Sequence, residues 1–149
     1  MKGKKIWKSI LYYGSLILAI TIIQLTIKVG MEGMWLIGIP KPEDVTSVTV
    51  DYRYLTDEYI KEITDRDDIE TCVHLSAYLK YKPFANTEVT TGTEGPVITL
   101  CYHLDNGEQV EVTGTDYIVT YKGKRHILKD DNSFVKFVEV LFFQEHFVE

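Results

Sequence analysis

Two Cys-x-His pairs are the residues best equipped for chemistry in this chain: Cys72-Val73-His74 and Cys101-Tyr102-His103. Thiolate and imidazole together suit a Cys₂His₂ metal centre, or a nucleophile beside a general base. The spacing argues against both. On a strand, Cys101 and His103 share a face. On a helix, residues two apart point about 200° from each other, so Cys72 and His74 diverge. Structural zinc sites also prefer two to four residues between cysteines. Cys101 with His103 is the one sequence-adjacent pair of nucleophile and base, and such i, i+2 neighbours on a strand are ordinary surface neighbours. The chain carries no Gly-x-Ser-x-Gly, His-Glu-x-x-His or phosphate-cradling glycine loop. Gly92-Thr93-Glu94-Gly95 is too short for a cradle and follows no strand. The sequence therefore assigns no catalytic, cofactor-binding or metal-ligating residue, and no cofactor.

Other groups have structural explanations that serve as well. Asp65, Asp67 and Asp68 lack the glycine and twelfth-position Glu of a calcium loop, and read as a helix-capping cluster. Tyrosines at 52, 54, 59, 78, 81, 102, 117 and 121 could line a sugar- or peptide-binding face, although strand tyrosines commonly pack the ring and keep the hydroxyl wet. A Cys72–Cys101 disulfide is permitted outside the cytoplasm. Their alternation, however, sets Cys72 on a core stripe and Cys101 away from it, which favours two free thiols.

The elements that must position these residues follow from periodicity. Val48, Val50, Tyr52 and Tyr54 alternate with polar residues over Val45–Tyr54, a strand with one wet face. A turn at Leu55–Glu58 leads to Tyr59–Ile63, which reads as a short strand or equally as a helical turn. Thr64–Asp68 caps a helix with the stripe Ile69, Cys72, Val73, Ser76 and Leu79, running to about Lys80 and stopped by Pro83. Asn86–Gly95 is a loop without core-building residues. Ile98–Leu104 is a strand ending at Asp105-Asn106-Gly107, where Asn-Gly predicts a tight hairpin with both central residues at positive φ. Strands at Gln109–Thr113, Asp116–Tyr121 and Arg125–Leu128 follow. Asp130–Ser133 caps a last helix with Phe134, Phe137, Val138, Leu141 and Phe142 as its apolar face. The fold class is α+β: an antiparallel sheet of five to six strands with two helices on one face, in two layers.

Upstream lies a different kind of segment. Ser9–Ile27 is nineteen residues without a charge, preceded by Lys2, Lys4, Lys5 and Lys8. At about 1.5 Å per residue this run covers the ~30 Å hydrocarbon core of a bilayer. It exceeds the core of a signal peptide, and Thr26–Met31 offers no small-x-small cleavage site. Trp7 and Trp35 bracket it, and their separation of 28 residues corresponds to about 42 Å of helix. Lys28 can snorkel outward. Ser15 and Ala19 give one small-xxx-small spacing, common in any lipid-facing helix. The lysine asymmetry puts residues 1–8 in the cytoplasm as a tail, 9–30 across the membrane as a signal anchor, 31–44 outside as a linker stiffened by Pro40 and Pro42, and 45–149 outside as the α+β domain.

From Lys41 onward there are 11 basic and 21 acidic residues, a net charge of −10. That acidity keeps the domain soluble and excludes nucleic acid and anionic headgroups as ligands. Pro40–Val45 leading into a strand, Ile63-Thr64-Asp65 into a helix and Tyr102–Gly107 at a hairpin resemble the small extracytoplasmic domains of membrane-anchored proteins from Gram-positive bacteria. The element order is also similar to one half of a TATA-box-binding-protein fold, in topology alone. The resemblance implies no activity. The expectation is a non-catalytic interaction, sensing or accessory protein of the cell membrane, with the bilayer as one partner through 9–30 and another envelope or membrane protein as the second. The alternatives are a small cell-envelope enzyme or a subunit of a secretion or conjugation apparatus.

Overall fold

A computed structural model describes residues 2–87, 95–130 and 133–147 and divides the chain into two compact units, 1–33 and 34–149. The first unit is one helix, α1, Lys2–Glu32. From Trp7 to Glu32 it is long and apolar enough to cross a membrane. Three of its hydroxyls turn back onto the helix itself: Ser15 donates to Tyr12 O at 2.8 Å, Thr21 to Ile17 O at 2.9 Å and Thr26 to Ile22 O at 2.8 Å. Polar residues satisfied in this way can lie in an apolar medium without a further partner. The helix stops at Glu32, with Gly33 at φ +76°, so Trp35 does not continue it as the bracketing of Trp7 and Trp35 predicts.

The second unit is α+β, as predicted, but among the described residues its sheet has eight strands instead of five or six. In chain order these are β1 (Met34–Trp35), β2 (Val45–Tyr54), β3 (Asp57–Ile63), β4 (Lys80–Lys82), β5 (Val97–Leu104), β6 (Gln109–Gly114), β7 (Ile118–Tyr121) and β8 (Lys124–Leu128). The helices are α2 (Arg66–Ala77), α3 (Ser133–Phe142) and the short α4 (Gln144–Phe147). The sheet runs β1-β4-β8-β7-β6-β5-β2-β3, antiparallel at every pairing. The two additional strands, β1 and β4, are two and three residues long, too short for alternation to reveal. They pair with each other, and β4 pairs with β8.

β1 also moves the start of the folded unit. The stretch expected as linker, 31–44, is drawn into the domain from Met34 onward. Leu36 is buried, Tyr121 Oη donates to Gly38 O at 2.5 Å, and Pro42–Asp44 forms a 3₁₀ turn into β2. Apolar side chains and paired backbone groups make these residues part of the sheet's margin.

Local chemistry explains the other boundaries. Asp65 caps α2 by accepting from the Asp67 and Asp68 amides at 3.0 and 3.3 Å. The helix ends at Ala77, short of Lys80, because Lys80–Lys82 is taken by β-pairing. At Asp105–Glu108 only Gly107 has positive φ (+84°), and Asn106 Oδ1 accepts from the Glu108 amide at 2.9 Å. This is a type I turn followed by a left-handed glycine, where Asn-Gly predicts a two-residue loop. The two-residue loop with both φ positive lies elsewhere, at Lys122 (+48°) and Gly123 (+72°) between β7 and β8. Most of the predicted 86–95 loop, residues 88–94, and the predicted caps Asp131 and Asn132 lie outside the described residues.

Both principal helices lie against one face of the sheet. Val48, Val50, Tyr52, Ile98, Leu100, Tyr102, Val112, Val119 and Tyr121 project from that face into the core. At the crossing of α3 and β6 the fold needs glycine, since a methyl on Gly114 would collide with the Cδ1–Cε1 edge of the Phe134 ring. The apolar face of α3 is rotated from the predicted one. Phe134, Val135, Val138, Phe142 and the following Phe143 are buried, whereas Phe137 and Leu141 are exposed. Lys136 and Glu139 fix the outward side, but the apolar arc opposite them is wider than the buried face, so periodicity leaves the inward direction open within that arc.

Candidate functional site

β5 carries the two residues that chemistry singles out. Its alternation sends Ile98, Leu100 and Tyr102 to the helix side, and Thr99, Cys101 and His103 to the open side. Register then aligns neighbours across the open face. Ser47, His103 and Gln109 form one row, Thr49, Cys101 and Glu111 the next, and Asp51, Thr99 and Thr113 a third. The result is a polar platform with a shallow depression of about 560 Å³ toward β6 and β7, lined by Gln109, Glu111, Thr113, Thr120 and Lys122.

The hydrogen bonds on this face run across strands. His103 Nε2 is 2.9 Å from Thr49 Oγ1, and Gln109 Nε2 is 3.2 Å from His103 Nδ1. Because the Gln109 amide nitrogen is a donor, Nδ1 accepts and Nε2–H donates to Thr49. Thr99 and Thr113 hydroxyls are 3.0 Å apart. Arg53 bridges Asp51 at 2.7 Å and Glu58 at 3.1 Å at the β2–β3 end. These contacts order the face without gathering its groups on a point.

The candidate nucleophile and base are thus neighbours without being partners. Both ring nitrogens of His103 are engaged by Thr49 and Gln109, which leaves neither turned to Cys101. Burial and the Glu111 carboxylate both push the Cys101 thiol up, away from the reactive thiolate. Cys72 and His74 are far from converging with them. Cys72 is fully buried on α2, its thiol pushed up to about 12 by burial, while His74 is on the outer side of α2, 3.9 Å from Glu70. Cys72 and Cys101 occupy opposite faces of the sheet and both are free thiols. Among the described residues no group of three His, Cys, Asp or Glu side chains could hold a metal ion.

The tyrosines do not share a face either. Tyr52, Tyr102 and Tyr121 are buried, while Tyr54, Tyr78 and Tyr117 are exposed. Tyr102 is the one that matters most to the fold. Its hydroxyl donates to Cys72 O at 2.7 Å and lies 2.6 Å from Ser76 Oγ, the single buried polar side chain among the described residues. Tyr102 therefore fixes α2 to the centre of the sheet, and burial drives its hydroxyl far above the usual phenol range. Sequence reasoning saw Tyr102 as one inward residue among several. Ser76 on the same predicted stripe was the available signal, since a buried hydroxyl needs a partner.

No protein-family model, curated protein or solved structure matches this chain.

Proposed function

We propose that this chain is a single-pass membrane protein that holds a non-catalytic interaction domain at the outer surface of a cell membrane. In this reading α1 is a signal anchor with its N-terminus in the cytoplasm, and the acidic α+β domain is extracytoplasmic. The four lysines before the apolar run, against Lys28 and Glu32 after it, support that orientation. The observation that carries the functional part is the one-sided sheet. Helices cover one face, while the other presents rows of Thr, His, Gln and Glu that suit a broad polar contact with another envelope or membrane protein.

Two arms test this. A reporter fused after Glu149 that works only outside the cytoplasm should be active, whereas silence there with activity from a cytoplasm-only reporter overturns the orientation. A photo-crosslinking residue at Glu111 or Thr113 should yield a discrete adduct in intact cells, with none from Lys136 on α3. Equal labelling at both faces overturns the open face as the contact.

A further inference from the structure

The helical layer has an outer surface that soluble domains rarely leave bare. On α3, Phe137, Val140 and Leu141 are 56, 61 and 48% exposed and form one i, i+3, i+4 stripe. Between α2 and α3 runs an apolar groove of about 400 Å³, lined by His74, Leu75, Tyr78, Phe134 and Phe137. At the α2 end Tyr78, 69% exposed, meets the edge of Trp35 at 6.0 Å between ring centroids, and Lys80 Nζ stands 4.2 Å from the Trp35 ring. Tryptophan, tyrosine and a lysine with a long apolar stem are the side chains that the headgroup region of a bilayer selects.

We propose that this surface docks on the lipid–water interface of the same bilayer that α1 crosses. The inference rests on the anchor reading above. Its particular support is chain length: Trp35 follows the last residue of α1 by three residues, which reach at most about 11 Å. Trp35 is thereby held near the level where the chain leaves the bilayer, and it belongs to the same folded surface as Tyr78. The docking energy is apolar and aromatic, because the domain's net charge opposes anionic lipid. The same charge disfavours a second copy as the occupant.

The full chain in phosphatidylcholine vesicles provides the test, with Trp7→Phe and Trp35→Phe leaving an aromatic ring at position 35 and removing background emission. Three single reporters are compared: Phe137→Trp on the proposed surface, Ile60→Trp on the open face and Leu18→Trp within α1. Lipid spin-labelled near the headgroup should quench Phe137→Trp roughly twofold more than Ile60→Trp, and a deep label should quench Leu18→Trp. Equal quenching of Phe137→Trp and Ile60→Trp, with Leu18→Trp still quenched, overturns the docking and leaves the anchor intact. An unquenched Leu18→Trp overturns the anchor and the docking with it. Shielding of Phe137→Trp from a water-soluble quencher without lipid quenching assigns the surface to a second copy and also overturns the proposal.

Discussion

Consecutive residues of β5 live in opposite surroundings. Tyr102 is fully buried beneath α2 with its hydroxyl satisfied by Cys72 O and Ser76. Cys101 and His103, one residue to either side, lie partly exposed in a ladder of polar side chains on the far face. The helix-side face is where stability resides, because there a lost group leaves a cavity or an unpaired hydroxyl that water cannot reach. The open face can lose a contact and replace it with solvent. A surface of that kind is free to be specified by a partner.

The sharpest way to break this contrast is Tyr102→Ala. It should cost about 3–5 kcal/mol, combining a large cavity with an unsatisfied Ser76. Denaturant unfolding measures it, and a loss under about 1 kcal/mol would show that Tyr102 does not pin α2. A second probe uses the buried thiol. Cys72 is raised from 9.0 to about 12 in the folded chain, so the unfolded chain releases its proton first. Its stabilising contribution is therefore complete below pH 9 and declines as pH rises toward 12, by about 1.4 kcal/mol per unit. Unfolding curves between pH 8 and 11 should show that decline, and Cys72→Ala should lessen its slope, leaving the part that the raised Cys101 thiol and the buried tyrosines contribute. An unchanged slope in the variant would place the alkaline sensitivity elsewhere. The smallest effect belongs to the open face. His103→Ala should cost only about 0.5–1 kcal/mol, since Thr49 and Gln109 can turn to water. A loss as large as that of Tyr102→Ala would erase the distinction between the faces.

Much of this contrast was legible before the fold was seen. Alternation in β2 and β5 assigned Val48, Val50, Tyr52 and Tyr102 to one side, and Cys101 and His103 to the other. The Asp65 cap was readable from its position before an acidic first turn. Three features were not. β1 and β4 owe their strand conformation to pairing with distant residues, because two or three residues carry no period of their own. The inward side of α3 is set by Phe134 packing on Gly114, a choice its sequence cannot announce within an apolar arc wider than the buried face. Trp35 fitted the end of a membrane helix by spacing alone, yet sheet pairing with Lys80 and ring contact with Tyr78 place it in the domain.

By itself the sequence determined the apolar length of α1, the α+β class, the period-two division of the long strands and the separation of the two Cys-x-His pairs. These are local properties, fixed by rise per residue, side-chain alternation and capping. Tertiary structure decided the eight-strand order, the capture of residues 34–44 by the sheet, and the hydroxyl bridge from Tyr102 to α2. It also left Phe137, Val140 and Leu141 facing outward, with Phe137 lining the same groove as Tyr78. Each of these depends on pairing between residues far apart in the chain, and backbone hydrogen bonds and close packing decide among partners that local patterning leaves equivalent.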